Sequence, residues 1–197
     1  TIQHDQLSLY TETFGEVDGK PVLLIAGAMA PASFWPDFFC QRLADGGCFV
    51  IRFDNRDFGQ STHFPQAALE SGIVCPYTIF DMVDDCCYIL DAYGIDRANI
   101  VGHSLGGSIA QLMTTHRSER VRTMTAISSP LLTTSCPGFE PPDPEIEKKT
   151  WEVMLSNPMY PDPERGIPAF LEVWRYLNGD LPIDEAMANA YTAKIYE

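Results

Sequence analysis

Ser104 lies in the run Gly102-His103-Ser104-Leu105-Gly106-Gly107, directly after the apolar segment Asn99-Ile100-Val101 and at the head of a helix-like run from Ser104 to His116. A G-x-S-x-G pattern between a strand and a helix is the setting of a nucleophile elbow. A serine hydroxyl attacks a carbonyl only when it is held out of the sheet on a strained turn with little bulk around it. Gly102 and Gly106 give that clearance. The turn also aims the Leu105 backbone N–H from a helix start, where unpaired N–H groups and the positive end of the dipole favour a developing oxyanion. Ser104 is therefore the candidate nucleophile and Leu105 a candidate oxyanion donor. For the bare pattern, the plainer alternative is a glycine-rich turn that only packs.

Such groups need elements to hold them. Leu7 to Phe14 alternates apolar and polar like a half-exposed strand, and Gly15 to Lys20 reads as a turn. Pro21 to Ala26 and Cys48 to Phe53 are continuously apolar enough for strands covered on both faces. Between them, Pro36 opens a helix over Asp37 to Ala44 that Gly46-Gly47 closes. Thr78 with Asp81 three residues on resembles a capping box, and Ile79, Met82, Val83, Cys86, Leu90 and Tyr93 recur at helical spacing until Gly94. Val121 to Ile127 reads as one more strand. Strands alternating with helices predict an α/β fold with a doubly wound, mostly parallel sheet. In such sheets working groups gather at the carboxyl ends of strands, where Gly27-Ala28, Asp54 and Ser104 fall.

The composition changes at Pro130, since ten of the fifteen prolines lie in Pro130 to Glu197. The runs Glu140 to Pro144 and Pro158 to Pro163 break regular strands, while helical patches survive at Ile146 to Leu155, Ile167 to Leu177 and Asp184 to Tyr196. The expected division is a core over 1–129 and a helical, Pro-rich lid over 130–197. Trp151, Trp174, Tyr160 and Tyr176 make the second part too aromatic for a solvated tail.

With 45% apolar and 20% charged residues the chain reads as globular, and its net charge of -14 argues against nucleic acid and anionic membrane surfaces as partners. The six cysteines (Cys40, Cys48, Cys75, Cys86, Cys87, Cys136) show neither C-x-x-C nor Cys/His metal spacing and read as reduced, buried small hydrophobes. Without a visible signal peptide or 18-residue apolar run, a cytoplasmic compartment is expected.

The elbow Gly102 to Gly107, the segment Leu24-Ile25-Ala26-Gly27-Ala28 and the D-x-R-x-x-G-x-S run Asp54 to Ser61 together resemble the α/β-hydrolase fold superfamily. Trp35-Pro36-Asp37, Arg42 to Gly47 and Val50-Ile51-Arg52 look most like its aclacinomycin methylesterase branch. The resemblance covers Thr1 to Pro130 and extends to the lid in general character. It implies a second oxyanion donor at the Ala28 backbone N–H, with Met29 lining the pocket. Many relatives carry His-Gly before that donor where this chain has Ala26-Gly27, a change that alters loop packing more than a backbone donor. No metal or cofactor is implied.

The resemblance also implies the order Ser, acid, His, and here the site is incomplete. His116 is twelve helical residues from Ser104, roughly 18 Å at about 1.5 Å per residue. His103 precedes Ser104 on a strand, so its side chain points the other way and reads as a packed pocket residue. His4 precedes the core strands, and His63 lies in a loop where the family has no base. Ser128 and Ser129 stand where some relatives carry the acid, and Asp54, Arg56 and Asp57 read as pins of their loop. The family continues past its lid with two more strands and helices bearing acid and histidine. This chain therefore reads as a hydrolase without its C-terminal strands, active only in complete form. Alone, it would expose the edge of Val121 to Ile127 and tend to self-associate or to take up a complementing C-terminal fragment.

The expected function of the complete protein is carboxylic-ester hydrolysis through an acyl-enzyme on Ser104, with a small-molecule ester as substrate. Lactone, C–C bond and perhydrolase chemistry share the serine site and stay open. The alternative from another class is a binding or interaction protein that keeps the pocket without the general base.

Overall fold

The computed structural model describes residues 1–64, 76–132, 143–155 and 162–194. Cys75, Cys136, Tyr160 and most of the two proline runs fall outside these residues. The chain divides into two compact units, Thr1–Leu132 and Thr133–Glu197.

In the first unit, a five-stranded sheet has the order β3 (Thr11–Phe14), β5 (Cys48–Phe53), β4 (Lys20–Ile25), β6 (Ala98–His103), β7 (Val121–Ile127). Strand β3 runs antiparallel to β5, and the remaining pairs are parallel. Side chains of β4 alternate between two cores, as the period of two in a strand requires. Leu23 and Ile25 pack with Val83, Cys86 and Leu90 of helix α2 (Ile79–Ala92) and with Ile109 and Met113 of α3 (Leu105–His116). Val22 and Leu24 face the other way, toward Trp35 and toward Cys40 of α1 (Asp37–Asp45). Helices thus cover both faces, which is the doubly wound α/β arrangement the apolar runs predict.

Local chemistry sets the element ends. Thr78 caps α2 in a full capping box, its Oγ1 accepting from the Asp81 N–H while the Asp81 carboxylate accepts the Thr78 N–H at 2.7 Å. These hydrogen bonds hold the Asp81 carboxyl below its usual range. The alternating stretch Leu7 to Phe14 is not one strand. Leu7–Leu9 is β2, paired with β1 (Ile2–His4), and Tyr10 separates it from β3. Tyr10 is taken up by the loop after β5, its N–H donating to Ser61 Oγ at 2.9 Å and its carbonyl accepting the Asp54 N–H at 3.0 Å.

Two buried arginines tie the layers. Arg52 donates to Glu12 and Asp37 at 2.6 Å each and to the Trp35 carbonyl. Arg56 grips Asp85 of α2 bidentately, at 2.7 and 2.6 Å, with both side chains under 10% exposed. Burial pushes the Asp85 carboxyl up by more than the guanidinium pulls it back, while for Arg56 the carboxylate outweighs burial; the bidentate geometry is that of an ion pair.

In the second unit, α4 is Pro144–Leu155, α5 Pro163–Leu177 and α6 Glu185–Lys194. Arg175 and Glu185 join α5 to α6 at 2.9 and 2.8 Å, and Trp174 meets Tyr191 edge-on at 5.5 Å. No helix among the described residues is long and apolar enough to cross a membrane.

Removing one member of a buried ion pair strands the other charge. Asp85→Ala should therefore cost about 3–5 kcal/mol in urea unfolding. A loss below about 1 kcal/mol would contradict the assignment of this pair as an ionised link between loop and helix.

Candidate active site

The carboxyl ends of β4, β6 and β7 lie side by side, since β6 is hydrogen-bonded to both neighbours. Each is followed by a non-glycine residue with positive φ: Met29 at 58°, Ser104 at 52° and Ser128 at 47°. Strain of this kind persists only where the surroundings hold it. At Ser104 they do: its N–H donates to the Ile127 carbonyl at 3.0 Å, and its carbonyl accepts from Gly107 at 2.9 Å and Ser108 at 3.2 Å. The half-buried Ser104 thereby becomes the residue at which strand β6 turns into α3.

The glycines permit the turn because backbone crosses backbone there. A methyl group on Gly102 would run into the Gly106 carbonyl, and one on Gly106 into the carbonyls of Ile25 and Ala26. The first turn of α3 is thus pressed onto the end of β4, and the segment after β4 comes beside the elbow. A Cβ on Gly27 would stand 3.2 Å from Ser104 Cβ and 3.1 Å from His103 Nδ1. Ala28 follows, exposed, and Met29 is half-buried. The structure so gathers Ala28, Met29, His103, Ser104 and Leu105 at the carboxyl ends of the two neighbouring strands β4 and β6. The N–H of Leu105 belongs to the helix's first turn, which has no intrahelical acceptor.

His103 is packed, as expected from its place before Ser104. Its ring lies 4.5 Å from that of Phe34, and Nδ1 is buried with no hydrogen-bond partner. The other three histidines are engaged elsewhere. His4 stacks on Tyr88 at 3.6 Å, and His63 Nε2 is 3.0 Å from the Gly59 carbonyl. His116 Nδ1 meets Thr115 Oγ1 at 2.8 Å and the Leu112 carbonyl at 3.2 Å. Among the described residues none of the four hydrogen-bonds to Ser104, and no cluster of three His, Cys, Asp or Glu is placed to hold a metal ion.

Three features of the site escape sequence reading. Ala32–Phe34 forms a 3₁₀ turn after Pro31, which the bracketing Pro31 and Pro36 signal only weakly. Gln111 of α3 holds the chain after β7, donating to the Pro130 carbonyl at 2.8 Å and accepting the Leu132 N–H at 3.1 Å. Asp54 accepts the Ala32 N–H at 2.6 Å, a tie to another loop, whereas Asp57 pins its own loop as expected, accepting the Phe64 N–H at 2.6 Å.

Two predictions follow from this packing. Gly106→Ala should destabilise the first unit by about 1–3 kcal/mol through overpacking, read as a lower urea midpoint; an unchanged midpoint would refute the close approach. Burial pushes the His103 imidazole below its ordinary 6.5. The native chain keeps it neutral where the unfolded chain protonates, so its contribution is present above about pH 6.5 and is lost as pH falls toward the native value. Between about pH 7 and 5, His103→Phe should flatten the fall in stability. Parallel slopes would show that His103 titrates alike in both states.

The family model described as alpha/beta hydrolase fold matches residues 20–155. Rhodomycin D methylesterase of Streptomyces sp. (strain C5) is 34% identical over 196 residues, covering 93% of this chain and 63% of its own length. The rhodomycin D methylesterase of Streptomyces peucetius is 33% identical with the same coverage. A solved carboxylesterase structure from Nitrososphaera gargenis superposes with a TM-score of 0.67 at 21% identity, over 96% of this chain and 62% of that one. The chain thus spans less than two thirds of the length of these relatives. A match over most of the described sheet and through the elbow, beside relatives above 30% identity, places this chain in the alpha/beta hydrolase fold family.

Proposed function

We propose that this chain carries the nucleophile and oxyanion-binding half of a serine hydrolase that cleaves carboxylic esters. The observation that carries the reading is Ser104 at φ 52° between strand and helix, beside Gly27-Ala28. Ser104 Oγ adds to the acyl carbon, and the carbonyl oxygen gains the charge that the N–H groups of Ala28 and Leu105 receive. Such donors act without reorganising at the moment of reaction, and loss of one costs about 10²–10³ in rate. Collapse expels the alcohol and leaves an ester on Ser104, which water hydrolyses.

The hydroxyl must lose its proton as it attacks, and none of this chain's four histidines hydrogen-bonds to it. The reading assigns base and orienting acid to polypeptide outside these 197 residues. The relatives named as methylesterases support a methyl ester, with methanol as the leaving alcohol. The same lack of a histidine partner favours one second reading: a binding protein that keeps the pocket without turnover.

Intact-mass spectrometry of the natural protein before and after a fluorophosphonate separates the two. The hydrolase reading expects a single adduct, mapped to Ser104 and abolished by Ser104→Ala. A folded protein that stays unlabelled would overturn it in favour of the binding reading.

A further inference from the structure

The run Asp54-Asn55 lies at the carboxyl end of β5, next to β4 in the sheet. Neither residue reaches Ser104 through any hydrogen bond described above, yet both are almost fully buried, at 3% and 2% exposure. Their side chains go to the two ends of one segment. Asn55 Nδ2 donates to the Ala26 carbonyl at 3.3 Å, and Asp54 Oδ1 accepts the Ala32 N–H at 2.6 Å. Between those ties lie Gly27, Ala28 and Met29, the last at φ 58°. We propose that Asp54 and Asn55 are positioning residues that hold the segment 26–32 so that the Ala28 N–H faces the oxyanion formed on Ser104. This inference rests on the hydrolase reading.

The tie is anchored on its other side as well. Asp54 Oδ2 accepts the Gln60 N–H at 2.8 Å, and the Asp54 carbonyl accepts Ser61 Oγ at 2.6 Å. Gly59, at φ 53°, packs so closely on this carboxylate that a Cβ there would overlap it. The D-x-R-x-x-G-x-S run is thus a cradle in which glycine makes room for an aspartate and backbone amides donate to it. The nearby guanidiniums are committed elsewhere, Arg52 to Glu12 and Asp37 and Arg56 to Asp85.

Such a carboxylate is poorly explained by stability. Burial pushes the Asp54 carboxyl up, and the amides of Ala32 and Gln60 only partly pull it back. A carboxyl raised in the native state takes up its proton more readily folded than unfolded. Its ionised form therefore costs stability at neutral pH, and that cost is relieved as pH falls through the native value. Residues that break a local rule in this way concentrate at functional sites. A charged acceptor holds an amide more firmly than a neutral one, which suits a segment whose neighbouring N–H must stay aimed.

Labelling kinetics of the natural protein with a fluorophosphonate test the proposal, because the maximal rate senses the oxyanion hole and the half-saturating concentration senses ground-state binding. Asp54→Asn keeps the shape but opposes an amide NH₂ to one backbone N–H, and Asn55→Ala releases the Ala26 end. Each should slow maximal labelling about 10- to 100-fold, short of losing the donor outright, with half-saturation within about twofold. Asp57→Asn takes the charge from another aspartate of the same loop while its amide oxygen can still accept the Phe64 N–H, and should label at the wild-type rate. Circular dichroism establishes which variants fold, and Asn55→Ala serves if Asp54→Asn does not. Wild-type labelling rates in the folded variants, or equal slowing in Asp57→Asn, would overturn the positioning role while leaving the hydrolase reading intact. A wild-type protein that is not labelled at Ser104 would overturn both.

Discussion

The first turn of α3 and the last residues of β4 touch backbone to backbone, and the arrangement of the site depends on that approach. The contact seats a helix start against the end of a neighbouring strand without side chains between them. It forces the strained conformation at Ser104, because the chain leaving β6 must reverse within one residue to enter the helix. It also brings Gly27 beside Ser104, so that the loop after β4 lies next to the start of α3. Parallel register extends the order one strand further, where the Ile127 carbonyl holds the Ser104 N–H.

Elements governed by local chemistry were legible from residues alone. The β5 apolar run Cys48 to Phe53 has no polar interruption except Arg52, and the strand spans those residues. Helix α2 begins at the residue its capping box marks, because Thr78 and Asp81 satisfy each other's backbone groups in any context. The stretch Leu7 to Phe14 misled for the opposite reason. Alternation is blind to which partner a strand pairs with, and Tyr10 leaves the pattern to satisfy Ser61 and Asp54, more than forty positions away in sequence.

The site divides along the same line. The turn at Ser104 was legible because close backbone approach demands glycine, and glycines at 102 and 106 are visible in a sequence. Ala28 came only through family resemblance, since a backbone donor leaves no mark on residue type. The tie from Asp54 to the Ala32 N–H was invisible for that reason too: one partner is an amide that any residue but proline carries. Ser128 carries positive φ without glycine to announce it, and the Gln111 clamp on Pro130 and Leu132 is long-range. Buried charge shows the same economy, with Arg52 and Arg56 each matched to carboxylates while Asp54 is matched to amides.

In the proposed hydrolase, Ser104 carries the oxyanion that the Ala28 and Leu105 amides receive. The crystal structure of the natural protein carrying a phosphonate adduct tests it most directly. Phosphorus should be bonded to Ser104 Oγ, with its phosphoryl oxygen about 2.7–3.1 Å from both the Ala28 and the Leu105 nitrogens. An adduct on another residue, or one whose oxygen points to solvent away from both amides, would contradict it.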